Sequence, residues 1–167
     1  MSYALRHDPA KHGLTLDAGG WVPVAALLAA LGVDRETLDH VVTTNDKQRF
    51  AVVRGPDGVE RIRASQGHSV EVDLGLTPVA PPDRLYHGTS AAALESIRAT
   101  GINKGGRHDV HLSVDTATAH RVGARRGGAV VIITVDAARM AADGHAFYRS
   151  DNGVWLTDEV PSDYLLD

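Results

Sequence analysis

Ten residues decide how this chain can fold. The stretch GLTPVAPPDR, Gly75–Arg84, holds three of the seven prolines in the 167-residue sequence. Each proline locks φ and pushes its predecessor out of the helical region, so the stretch is an extended connector. A single core does not run through such a segment. The sequence predicts two small lobes, residues 1–74 and 85–167, joined by a linker at 75–84, and its length suffices for both.

The two sides of the connector differ in pattern. Before it, VPVAALLAALG (Val22–Gly32) reads as an apolar helix with Pro23 in its first turn and Gly32 as its stop. Asp34 opens a second helix, DRETLDHVV, and RFAVV and ERIRAS flank the turn RGPDG as a hairpin. Two helices followed by a hairpin is the order of a winged helix. After the connector, RLYHGTS is a short strand running into the helix SAAALESIRATG, capped by Ser90 and stopped by Gly101. VHLS is a strand, DTATAHRVGA a helix, and the β-branched run AVVIITV (Ala129–Val135) a buried central strand. HAFYRS and GVWLT are strands separated by the turn DNG. Many short strands with few helices make the second lobe α+β, not a doubly wound sheet.

Charge and composition narrow the function classes. The net charge is −4, and residues 1–75 and 76–167 each carry −2, so no basic face is indicated. If a polyanion binds here, a few placed arginines must hold it. Cysteine is absent, which excludes disulfides, thiolate metal sites and a cysteine nucleophile and suits a cytoplasmic protein. No apolar run approaches the ~20 residues of a membrane span. The nine histidines are not spaced as ligands alongside carboxylates, so no metal site is expected. Walker A, GxGxxG, HExxH and GxSxG patterns are all missing.

Polar residues gather in short stretches beside glycines and strand ends. Each has a plain structural reading. Arg6-His7 is a dipole partner at a helix end, HGTS a turn and cap, Gln66-Gly67-His68-Ser69 a turn after a strand, and RVGARRGG a basic helix end with a glycine stop. Arg49 beside Phe50 can simply snorkel.

Taken together and in order, however, LRH-x-P, NDKQRF, RIRA-x-QGHS, YHGT, R-x-x-VHLS, VG-x-R-x-G and FY-x-S-x-NGVWLT strongly resemble the KptA-type RNA 2′-phosphotransferases, from Ser2 to about Pro161. The resemblance implies an N-terminal winged-helix lobe joined to a C-terminal ADP-ribosyltransferase-like lobe that binds NAD. The implied activity moves an internal RNA 2′-phosphate, as left by fungal-type tRNA splicing, to NAD. The products are 2′-hydroxyl RNA, nicotinamide and ADP-ribose 1″,2″-cyclic phosphate, formed through a 2′-phospho-ADP-ribosylated RNA.

By the same resemblance Arg6, His7, Arg49 and Arg107 are the catalytic set. His87, Gly88, Thr89, His111, Leu112, Ser113 and Arg125 are the NAD contacts, with glycine at 88 letting the backbone approach the dinucleotide. Guanidinium suits a 2′-phosphate because it stays charged and forks onto two oxygens. His7 is either a general acid toward the departing RNA oxygen or a hydrogen-bond donor only. Arg63, Gln66 and His68 order the first lobe or touch the RNA backbone. The expected protein is a cytoplasmic monomer acting on RNA with NAD and no metal. Two positions depart from the family pattern: only MSYA precedes LRH, and Asp109 stands where a histidine is usual. Two other classes fit parts of the sequence. One is an ADP-ribosyltransferase acting on a nucleic-acid terminal phosphate or a protein. The other is a winged-helix binding module, which the acidic second helix at Asp34–Val42 disfavours.

Overall fold

The computed structural model describes residues 1–45 and 47–166, Arg126 by its main chain; Asp46 of NDKQRF lies outside them. It is a mixed α/β structure with six α-helices and four small antiparallel sheets among the described residues. The chain divides into two compact units, Met1–Leu76 and Thr77–Asp167.

The first unit opens with a five-residue helix, α1 (Ser2–Arg6). Alone it is far too short to persist in water. Leu5 is fully buried, and burial of such a side chain stabilises by roughly 1.5–3 kcal/mol. The core thus holds a helix whose last residue is Arg6. A strand β1 (Val22–Pro23) leads into α2 (Val24–Leu31), which ends on Gly32 in the left-handed region at φ 63. Here the structure corrects the sequence reading: Val22 and Pro23 are not helical. Pro23 sits at φ −57 and ψ 134, and Val22 pairs with Ile62. The residue before proline is driven to extended geometry, and a proline without an N–H is tolerated on an edge strand.

Asp34 accepts from the Thr37 N–H and starts α3 (Arg35–Thr44). Strands β2 (Phe50–Arg54) and β3 (Glu60–Ala64) form the hairpin, and the sheet order is β1-β3-β2. Arg35 of α3 pairs with both Asp39 and Glu60, which ties the helix to the hairpin.

In the second unit, β4 (Arg84–Ser90) is followed by a 3₁₀ turn, Ala91–Ala93, and only then by α4 (Leu94–Thr100). The expected Ser90 cap is absent. Ser90 is still in register with Val130, and the Ala91 N–H donates to the Ala129 carbonyl, so strand pairing runs on through the position where the cap was expected. Strand β5 (Ile102–Asn103) and β6 (Val110–Leu112) precede α5 (Thr116–Gly123), capped by Asp115. Strand β7 (Val130–Asp136) is central, between β4 and the C-terminal strand β11 (Leu165–Leu166), but only Ile133 and Val135 are buried. It is covered fully on one face, not on both.

Helix α6 (Ala137–Ala142), unforeseen in the sequence reading, follows directly; Asp136 accepts from the Arg139 N–H. An Asp three residues before Arg139 in an alanine-rich run was its signal. Strands β8 (Tyr148–Arg149) and β9 (Trp155–Thr157) form the last hairpin and continue into β6. Strand β10 (Glu159–Val160) pairs with β5, and β11 (Leu165–Leu166) with β7. No helix is long and apolar enough to cross a membrane among the described residues.

Candidate active-site clusters in the two units

In the first unit, two motifs far apart in sequence, LRH-x-P and NDKQRF, are tied to one short segment of a third, residues 65–69. Ser65, 2% exposed, donates from its N–H to the Arg49 carbonyl at 2.9 Å and from its hydroxyl to the Gln48 carbonyl at 3.0 Å. Four residues on, Ser69 donates from its N–H to the Arg6 carbonyl at 2.9 Å, and its hydroxyl lies 2.9 Å from His7 Nδ1. Four residues span at most about 14 Å of chain. The main chains at Arg6 and Arg49 are thus both anchored to one five-residue segment.

Gln48, next to Arg49, is at φ 42, the only non-glycine residue with positive φ among those described. Such backbone persists where surrounding bonds hold it, and here Asn45 and Ser65 hold it from either side. His7 is exposed at the C-terminus of α1, its ring 5.7 Å from that of Tyr3.

Arg63 and His68 act on the lobe. The Arg63 guanidinium lies 4.6 Å over the Trp21 ring and donates to the Gly19 and Leu74 carbonyls, each at 3.3 Å. His68 is 2% exposed, so of the two roles open to it in the sequence, ordering the lobe is the one its burial allows. The serines of RIRASQGHS were not singled out in the sequence reading. Their signal was weak, since a hydroxyl in a glycine-containing turn usually bonds locally.

In the second unit, the YHGTS and RHDVHLS motifs are joined directly. Tyr86 and Ser113 exchange N–H···O bonds at 2.8 Å in each direction. His87 Nδ1 donates to the His111 carbonyl at 3.1 Å, and an Arg107 guanidinium N–H donates to His111 Nδ1 at 2.9 Å. Arginine has no acceptor, so Nδ1 of His111 is unprotonated and Nε2 carries the ring proton. His87 is in the opposite state when neutral, with Nδ1 protonated and Nε2 the acceptor. One ring thus offers a donor and its neighbour an acceptor. Both are half-buried, while Arg107 and Arg125 are exposed.

Two predicted residues owe their identity to packing. A Cβ on Gly88 would stand 1.8 Å from the Ala119 carbonyl oxygen, and one on Gly123 would stand 2.9 Å from the Gly88 carbonyl carbon. Glycine at 88 is required by the approach of α5 to β4, whatever else the position does. Leu112 is 1% exposed and belongs to the core, which leaves only its main chain for a ligand. Thr89 is buried as well.

Asp109 is half-buried between the Arg107 and His111 positions, and that desolvation pushes its carboxyl up against the pull of His108 and Lys104. Lys104 itself is paired with Asp158. Ser150 closes the hairpin between β8 and β9 through its N–H to the Val154 carbonyl at 3.0 Å and its hydroxyl within 2.8 Å of Asn152 Oδ1. No group of three His, Asp or Glu side chains is placed to hold a metal ion among the described residues.

Residues 1–159 match the protein-family model described as RNA 2′-phosphotransferase, Tpt1 / KptA family. The chain is 58% identical over 170 residues to a probable RNA 2′-phosphotransferase of Streptomyces coelicolor, covering 99% of this chain and 90% of that protein. It is 53% identical over 169 residues to one of Rhizobium leguminosarum bv. trifolii, with 99% and 89% covered, and 49% over 170 residues to one of Hahella chejuensis, again with 99% and 89% covered. The chain belongs to the RNA 2′-phosphotransferase, Tpt1 / KptA family.

Proposed function

We propose that this chain is an NAD-dependent RNA 2′-phosphotransferase, a cytoplasmic monomer that moves an internal RNA 2′-phosphate to NAD and leaves a 2′-hydroxyl. The observation that carries the reading is the segment 65–69, which bonds to the main chain at Arg6 and Arg49 and to the ring of His7. An arginine pair and an imidazole gathered on one short segment make a receptor for a phosphate dianion. On this reading the first unit is a winged-helix lobe, supported by α2, α3 and the β2–β3 hairpin in that order. The second is an ADP-ribosyltransferase-like lobe.

The second unit has a donor set that fits NAD. The protonated Nε2 of His111 and the acceptor Nε2 of His87 complement a carboxamide or a ribose diol, and Arg107 and Arg125 offer cations for phosphates. Bound there, NAD would supply an electrophilic ribose carbon with nicotinamide as its leaving group. The chain's own task is then to hold and orient charge. Arg6 and Arg49 fix the 2′-phosphate oxygens. In the second step, attack on a crowded phosphoryl centre is stabilised by the same cations, and His7 gives a proton to the departing RNA oxygen. A few placed arginines also account for RNA binding at a net charge of −4, since phosphate contacts position and the 2′ group selects.

The test is a time course on a labelled 2′-phosphorylated oligonucleotide with and without NAD, resolving substrate, intermediate and 2′-hydroxyl product. The expected result is product only with NAD and unchanged turnover in EDTA. Phosphate release without NAD overturns the reading. ADP-ribose attached to the oligonucleotide end or to protein, with no 2′-hydroxyl product, would point to an ADP-ribosyltransferase instead.

A further inference from the structure

We propose that Ser69 is the positioning residue for His7: its oxygen accepts a hydrogen bond from Nδ1–H and makes Nε2 the nitrogen that gives up and regains a proton during turnover. The proposal rests on the functional reading above, in which His7 serves the phosphate. Its basis is a three-member line. His7 Nδ1 lies 2.9 Å from Ser69 Oγ, and the Ser69 hydroxyl is directed at the Arg6 carbonyl at 3.5 Å. The Ser69 N–H donates to that same carbonyl at 2.9 Å, which anchors the Ser69 main chain beside Arg6 and His7.

A hydroxyl carries one proton. With that proton aimed at the Arg6 carbonyl, the Ser69 oxygen presents a lone pair to the ring, and Nδ1 must be the donor. The line is then Nδ1–H to Oγ, and O–H to the carbonyl. It is unchanged whether the ring is neutral or cationic, because only Nε2 differs between the two. In the step that expels the RNA oxygen, a ribose hydroxyl oxygen bonds to phosphorus and gives its proton to solvent, the P–O electron pair leaves with the RNA oxygen, and the Nε2–H bond breaks as that oxygen takes the proton. The ring is left neutral with its proton on Nδ1, and Nε2 is reprotonated from solvent.

A carboxylate in the place of Ser69 would hold the same tautomer, as in serine hydrolase triads. Beside a phosphate dianion it would also repel the substrate. A neutral hydroxyl orients the ring without adding negative charge. Ser69 is exposed, so it contributes little to the core and can be replaced without unfolding the lobe.

The experiment uses the full chain with ¹⁵N-labelled histidine, alongside Ser69→Ala, Ser69→Thr, His7→Ala and the double variant. Imidazole ¹⁵N shifts followed through the titration range of histidine report the His7 tautomer without any substrate. The neutral wild-type ring should carry its proton on Nδ1. Ser69→Ala should release it to a mixture, and Ser69→Thr should restore it. Turnover of the 2′-phosphorylated oligonucleotide with NAD should fall about tenfold in Ser69→Ala, in kcat and not KM, within what a positioned general acid contributes. It should recover in Ser69→Thr, and Ser69→Ala should add no further loss in the His7→Ala background. A wild-type ring protonated on Nε2, a tautomer indifferent to Ser69→Ala, or additive losses in the double variant each overturn the proposal. If the wild-type chain leaves the oligonucleotide untouched, the functional reading fails and the catalytic half of the proposal with it. The tautomer measurement alone then decides the hold of Ser69 on His7.

Discussion

The two units fix their polar side chains by different means. In the first, two serine hydroxyls and two serine N–H groups reach across to the end of α1 at Arg6 and His7 and to the loop at Gln48 and Arg49. In the second, His87 and His111 stand on strands of two sheets joined by the Tyr86–Ser113 bridge, and helix α5 presses so closely on β4 that residue 88 must be glycine. The first arrangement is built from individual hydrogen bonds, each worth about 1 kcal/mol net. The second is built into the packing of the unit. Damage to the first should therefore appear as lost activity in a folded protein, and damage to the second as lost structure.

The sharpest way to break that contrast is Gly88→Ala. Its new methyl would collide with main-chain carbonyl at 1.8 Å, which no rotamer can relieve. A loss of roughly 3–5 kcal/mol is expected, enough to unfold the second unit, read as a collapsed urea midpoint. A near-native midpoint would mean that α5 moves easily and that the strand pairing alone holds the motif.

Arginine removal should do the reverse. Arg6→Ala and Arg49→Ala in the first unit, and Arg107→Ala on an exposed segment outside the packed strands of the second, are each expected to cost about a hundredfold or more in turnover, since every 1.36 kcal/mol of barrier is about tenfold. Melting temperatures should stay close to the wild type. If NAD binds the second unit as proposed, millimolar NAD should stabilise the wild type by about 2.7 kcal/mol at a hundred times its dissociation constant, and Arg6→Ala should keep that stabilisation. Wild-type turnover by Arg6→Ala would reduce LRH to an ordinary helix end.

Ser65→Ala probes the middle ground. It keeps the N–H bond to Arg49 but strands the Gln48 carbonyl beside a backbone at φ 42. A stability loss of about 1–3 kcal/mol is expected, with a several-fold drop in kcat. A stability loss with unchanged kcat would mean that the Gln48 geometry serves folding alone.

The smallest effect belongs to Asp109. Burial raises its carboxyl, so the folded protein holds that proton more tightly than the unfolded chain does. Stability from this group is present in acid and is lost as pH rises through its folded value. Asp34, Glu60 and Asp115, all lowered by hydrogen bonds, run the other way: their stability is present at neutral pH and lost as pH falls. Asp109→Asn should slightly raise the melting temperature at pH 7 and leave it unchanged in acid. An equal rise at both would assign the gain to something other than charge burial.

Local rules carried much of the reading. Proline spacing marks the connector, Asp34 and Asp115 cap their helices, the RGPDG turn places a hairpin, and Gly32 and Gly101 stop helices. Each is set by residues a few positions apart, so each is visible in a line of text. The family is visible for a related reason, because seven short motifs in fixed order are a property of the chain alone. Tertiary structure decided what local rules leave open. Val22 joins a strand because Ile62, forty residues on, offers a partner. Glycine at 88 is dictated by the carbonyl of Ala119 on another element. The serine that meets His7 lies 62 residues away from it. Propensity and punctuation act over a turn of helix or a hairpin. A hydroxyl's partner or a glycine's neighbour is set by which distant segments the folded core brings into contact.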